Sequence, residues 1–227
     1  MIKNITKIIS NAGLTMLVLA FAFTTVEPAV SFGAPVQSQF TISQTTNSEV
    51  SFVTLASNVV MSPTLGGITG GTANGLTQVA VLSNNSTGYN MTIQASSTGA
   101  MQGTASSTNF IPVYSTTTPD YNFVTPANSA RFGYTVNAST TSDVTALFKS
   151  NGSNLCGVGG STSGGGIHCW IGATSTAVQI INRGTATAGT GATTTLYFQV
   201  GIAANPLPAI PNDTYVSTST LTATANP

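Results

Sequence analysis

The chain has 227 residues, with five Lys or Arg, five Asp or Glu, one His and a formal net charge of zero. With 4% charged residues, it has almost no ionisable groups to cluster for acid–base catalysis, metal binding or phosphate handling. No basic patch can form, which argues against nucleic acid or anionic membrane as a partner, while 41% hydrophobic content is too high for a disordered chain.

Residues 1–33 read as a cleaved secretory signal. Lys3 and Lys7 form a positive start with no acid before Glu27. Residues 13–23 (GLTMLVLAFAF) are apolar except for Thr15. That run suits a signal and falls short of the roughly 20 residues of a bilayer span. Ser31 and Gly33 occupy the −3 and −1 positions, so cleavage is expected after Gly33. An uncleaved membrane anchor is the competing reading, and the short run weighs against it. No second hydrophobic stretch follows, so the mature chain, residues 34–227, is expected to lack a membrane span. It is expected to form a single domain that is extracellular or at the cell surface. That portion carries Arg131, Lys149 and Arg183 against Glu49, Asp120, Asp143 and Asp213, a net charge of −1.

Strand signals follow in order. Val36, Phe40 and Ile42 share one parity. Such a segment is either the first edge strand of its own sandwich or a strand donated to a neighbour's sheet, and the pattern alone does not choose. Short apolar runs lie at 50–55 and 59–61. Val79 with Val81, then Tyr89, Met91, Ile93 and Ala95, alternate with polar residues. Phe132, Tyr134 and Val136 repeat the pattern, as do Val178 and Ile180. Leu196, Phe198, Val200 and Ile202 form the cleanest period of two, and Tyr215, Leu221 and Ala223 lie in the final strand. Alternation of this kind predicts strands with one buried and one wet face. Asn74-Gly75, Asn151-Gly152 and several prolines punctuate the runs as turns. One stretch has a helical period, with Thr141 or Ser142 as cap and Val144, Leu147 and Phe148 facing inward. The expected fold is all-β, an antiparallel immunoglobulin-like β-sandwich with at most one short helix and one disulfide-closed loop.

Cys156 and Cys169 are the only cysteines, and they enclose a Gly-rich loop. In an exported chain this pair reads as a disulfide. The alternative is a metal held by Cys156, His168 and Cys169, but the spacing matches no zinc pattern and a fourth ligand is not evident. No cofactor and no metal are expected. His168 is the only candidate base for a Ser-His-Asp triad, and no nucleophile elbow accompanies it. Glu49, Asp120, Asp143 and Asp213 are far apart in sequence, so a glycosidase pair has no local signal. Trp170 is expected to pack on the disulfide or the sandwich end, or else to offer a sugar-binding face. Asn84, Asn85, Asn90, Asn137, Asn151 and Asn212 match the Asn-x-Ser/Thr pattern, which a Ser/Thr-rich chain produces by composition alone.

Several segments carry a resemblance: Gln39-Phe40-Thr41-Ile42-Ser43-Gln44, residues 79–93, Phe132-Gly133-Tyr134-Thr135-Val136, Cys169-Trp170 and Ile210-Pro211-Asn212-Asp213-Thr214-Tyr215. In these the chain resembles small secreted proteins of reduced-genome bacteria of the Patescibacteria type. That resemblance implies location and fold rather than an activity. More loosely, Asn85-Ser86-Thr87-Gly88-Tyr89 and the Pro211 to Tyr215 strand are similar to immunoglobulin-like fimbrial and WxL-type surface modules. Trp170-Ile171-Gly172 is not a Trp-x-Leu pair, so wall binding is not carried over.

The combined expectation is a non-catalytic secreted or cell-surface structural protein that partners with itself as a pilus-like or layer-like subunit. The alternative is an adhesin for a surface glycan or protein, using Tyr114, Tyr121 and Trp170.

Overall fold

The computed structural model describes residues 38–114, 117–158, 162–163 and 168–227. The chain divides into two compact units, residues 1–45 and 46–227. The proposed signal, its cleavage site and Val36 lie outside the described residues.

The second unit is nearly all β. In chain order its strands are β1 (Val50–Thr54), β2 (Gly71–Ser83), β3 (Tyr89–Ala95), β4 (Met101–Gly103), β5 (Phe110–Ile111) and β6 (Ala130–Ala138). They continue as β7 (Lys149–Ser150), β8 (Thr162–Ser163), β9 (Val178–Arg183), β10 (Ala192–Ile202), β11 (Tyr215–Val216) and β12 (Ser219–Ala225). One sheet runs β1-β2-β10-β6 and another β12-β3-β9, with two small sheets, β11-β4-β5 and β7-β8. Every pairing of these strands is antiparallel.

The period-two pattern explains the core. Val79 and Val81 of β2, Leu196, Val200 and Ile202 of β10, and Phe132, Tyr134 and Val136 of β6 bury one face. Tyr89, Met91 and Ile93 of β3 and Ile180 and Ile181 of β9 join them in a single cluster. Side chains of alternate parity on β2, such as Asn74, Leu76 and Gln78, face outward and are exposed. The pairing of β10 with β2 spans Ala192 to Ile202 without a bulge, so this register keeps Val79, Val81, Leu196 and Val200 on the core face.

The helical period at 141–148 is not realised as an α-helix. Two 3₁₀ turns form instead, Thr141–Asp143 and Ala146–Phe148. Between them Val144 is extended and bridges Ile181, while the Thr145 N–H bonds the Ile180 carbonyl. Tertiary pairing with β9 wins over the local helical pattern, and β-branched Val144 favours that outcome. Val144 and Phe148 are nonetheless buried, as the period requires.

A second correction concerns the faces of β6 and β10. Gly133, Thr135 and Gly201 lie opposite the core parity, yet all three are buried. Tyr114, Phe123 and Thr125 of the connection after β5, with His168 and Ile171 beside them, form an arm that covers them. A Cβ on Gly133 would meet the Ile171 carbonyl oxygen at 2.9 Å and the Tyr114 Cβ at 3.0 Å. Only a residue without a side chain lets that arm lie so close.

Candidate functional site

Two features of the fold gather side chains in the manner of a site: the aromatic arm beside the disulfide, and a groove between the sheets.

The arm is built by strand-like contacts. Asp120 and Trp170 exchange backbone hydrogen bonds of 3.0 and 2.8 Å, and Ile171 bridges Tyr134 of β6. Cys156 and Cys169 are joined, with Cα atoms 5.5 Å apart, so the expected pairing is present. Both are buried, and Cys156 is tied to Ser150 of β7, so the crosslink is fastened to the fold at both ends. Cys169 holds a left-handed backbone (φ 61°), unusual for a residue other than glycine.

Of the three aromatics expected on loops, Tyr114 and Trp170 are buried and only Tyr121 is partly exposed. Trp170 meets the Phe123 ring edge-on at 5.4 Å, and Phe123 packs on Tyr114 at 4.8 Å. The Tyr114 hydroxyl donates to Asp120 Oδ2 at 2.6 Å and accepts from the Val124 N–H at 3.2 Å. Burial, then the bond to Asp120, pushes its pKa up to about 12. Tyr121 stacks on His168 with ring centroids 3.9 Å apart, and His168 Nδ1 donates to the Tyr121 carbonyl at 3.2 Å. Arg131 lies over the Tyr114 ring at 5.4 Å. The arrangement is a small secondary core on the outer face of β6. A sugar platform needs an exposed ring face, and Trp170 does not offer one.

The four acids go to separate places. Asp120 serves Tyr114. Asp143 pairs with Arg183 at 2.6 Å, both largely buried. Asp213 gathers the loop after β4, accepting from the Ala105, Ser106 and Thr214 amides at 3.0, 3.3 and 2.7 Å and from Asn109 at 3.2 Å. The Ala105 amide bond, with help from Asn109, Thr214 and Ser106, holds its pKa down near 2 against a smaller opposing effect of burial. Glu49 precedes β1, its amide bonded to Asn84 Oδ1 at 2.7 Å. Among the described residues, no three His, Cys, Asp or Glu side chains gather in a way that could hold a metal ion.

The groove is a cavity of about 500 Å³ between the two large sheets. Buried Ile93 of β3, Met101 of β4, Phe132 of β6 and Leu196 of β10 form its floor. Residues 56–61 after β1 form one rim, and 215–221, covering β11 and the start of β12, form the other. Among the described residues, no charged side chain lines it. Residues 56–61 make no backbone–backbone hydrogen bond with other described residues; the Ser57 N–H bonds Thr77 Oγ1 at 2.9 Å. The short apolar run at 59–61 carried the only signal of this rim in the sequence. It reads there as a strand, and the gap beside it is a tertiary feature that no local pattern encodes.

In the first unit, Phe40 and Ile42 are 82% and 84% exposed, and residues 38–45 belong to no strand. Thus the edge strand expected around Phe40 and Ile42 is not formed in these described residues; the first strand of the fold is β1.

The fold defines a disulfide-bonded, antiparallel all-β protein, and among the described residues no helix is long and apolar enough to cross a membrane. The sequence matches no protein-family model and no curated protein.

Proposed function

We propose that this chain is a non-catalytic structural protein of the cell surface or extracellular space that acts by assembling with itself. The immunoglobulin-like form of its sandwich and its export through a cleaved signal belong to the same proposal. The observation that carries it is the pair of open sheet edges, β1 and β12. They neighbour each other, each pairs on one side only among the described residues, and neither contains a charged residue or a proline. The opposite edges are covered: Val113 and Ile171 bridge β6, and Val144 bridges β9. Proteins that remain monomeric usually blunt such edges with charge, proline or a covering segment. Here two edges are covered and two adjacent ones are left uncharged and open. The disulfide supports an oxidising compartment. The adhesin reading has less support, because Tyr114 and Trp170 are buried.

The test is expression in a secreting bacterial host, followed by mass analysis and labelling of intact cells. The expected result is a product lacking residues 1–33 that is accessible from outside the cell. A full-length chain retained in the membrane fraction, or one confined to the cytoplasm, would refute the surface assignment.

A further inference from the structure

We infer that strand β12 pairs with β12 of a second copy of this chain, antiparallel and about a two-fold axis at Thr222. The inference rests on the assembly reading above and names the strand, the register and the facing residues.

The hydrogen-bond pattern fixes which backbone groups of β12 are spare. The Thr218 carbonyl accepts from the Ser96 amide at 2.9 Å, and the Asn226 amide donates to the Gly88 carbonyl at 3.1 Å. Between them the register is unbroken, from Ser219 opposite Ala95 to Ala225 opposite Tyr89. In an antiparallel ladder, alternate residues direct both N–H and C=O to the same neighbour. Thr220, Thr222 and Thr224 therefore turn theirs to β3, in step with Thr218 and Asn226. Ser219, Leu221, Ala223 and Ala225 turn theirs outward, where no backbone bond from the described residues receives them. A row of this kind is a template for another strand. Edge β1 offers a poorer one, because a bulge between Phe52 and Thr54 interrupts its pairing with β2.

The same strand of a second copy matches the row. An antiparallel alignment that sets Ser219 opposite Ala225 and Leu221 opposite Ala223 lets every outward residue bond an outward residue of the other copy. A shift by two residues leaves Ser219 or Ala225 without a partner in the strand, and a shift by one sets outward groups against groups already bonded to β3. The side chains agree with this register. Half-buried Leu221 meets the second copy's Ala223 rather than another leucine. On the exposed face Thr222 meets itself and Thr220 meets Thr224, favourable cross-strand pairs with no charge to repel. The contact is self-complementary and joins β12-β3-β9 of both copies into one continuous sheet. Pairing over seven residues is small beside a standard interface of about 1,600 Å², so the dimer depends on concentration. This contact does not use β1, which carries growth beyond the dimer.

The experiment uses the chain from Ala34 onward and substitutions at exposed Thr222. Thr222→Lys and Thr222→Glu each set like charges face to face in the pair and leave the backbone bonds to β3 intact. Sedimentation velocity reads the dimer, and melting curves show that the variants are folded. Each variant alone should pair about tenfold more weakly or worse, and an equimolar mixture should recover the dimer of the parent. Thr222→Cys should crosslink two copies under mild oxidation, because that position faces itself in a close, non-hydrogen-bonded pair. Thr220→Cys, which faces position 224, should crosslink about tenfold more slowly. A folded Thr222→Lys chain that dimerises as the parent does would overturn the β12 contact while assembly itself stands. A mixture that stays monomeric, or equal crosslinking at 220 and 222, would overturn the register and the proposal with it. A parent that is monomeric at every concentration would refute the assembly reading and this contact together.

Discussion

Trp170 is the residue on which the outer-face cluster turns. Beside a cysteine in a Gly-rich region, it reads first as packing on the disulfide or the sandwich end, with a sugar-binding face as the alternative. Its burial against Phe123 and its backbone exchange with Asp120 make it the centre of the outer-face cluster. Trp170→Ala should therefore destabilise the fold by about 3–5 kcal/mol, as large core truncations do. Tyr121→Ala, at a partly exposed position, should cost much less. Denaturant melts of both variants check this, and equal small effects would contradict the assignment. Asp213 makes a second prediction. Its carboxylate is held by the Ala105 amide first, so its folded pKa of about 2 lies below the ordinary carboxylate value near 3.9. Between those values the unfolded chain binds the extra proton. The contribution of Asp213 is therefore fully present above pH ~4 and is lost as pH falls through about 2. Melting curves of the native chain and Asp213→Asn from pH 5 to 2 should converge at the acid end. A gap that stays constant with pH would remove the titration from the account.

At the scale of elements, the crosslink gives the most direct test. Cys156 and Cys169 are buried and fastened through Ser150 and Asp120–Trp170, so both ends of the crosslinked segment are anchored to the fold. The Cys156→Ser/Cys169→Ser variant should lose roughly 2–4 kcal/mol. An unchanged thermal midpoint would show that the loop is held without it. The long strands were legible because their alternating apolar residues are buried: Tyr89, Met91 and Ile93, then Phe132, Tyr134 and Val136, then Leu196, Val200 and Ile202, with Phe198 half-buried. Other features were not legible for identifiable reasons. Val144 has a helical neighbourhood but is drawn into pairing with Ile181, a contact across distant sequence. Gly133 and Thr135 look like a wet face because nothing local announces the arm that covers them. The groove draws its floor from β3, β4, β6 and β10, and no single segment reveals a gap among four strands.

At the scale of the molecule, two sheets share one core, and a disulfide braces the arm laid over the outer face of β6. One pair of edges is covered and the other is open beside an uncharged groove. A chain with a net charge near zero has little electrostatic repulsion to keep copies apart. The proposed assembly follows from that combination rather than from any one motif. Sedimentation velocity of the chain from Ala34 onward, over a hundredfold range of concentration, tests it most directly. The account predicts species that grow in mass with concentration and ordered filaments at the upper end. A single species of monomer mass across the whole range would contradict it.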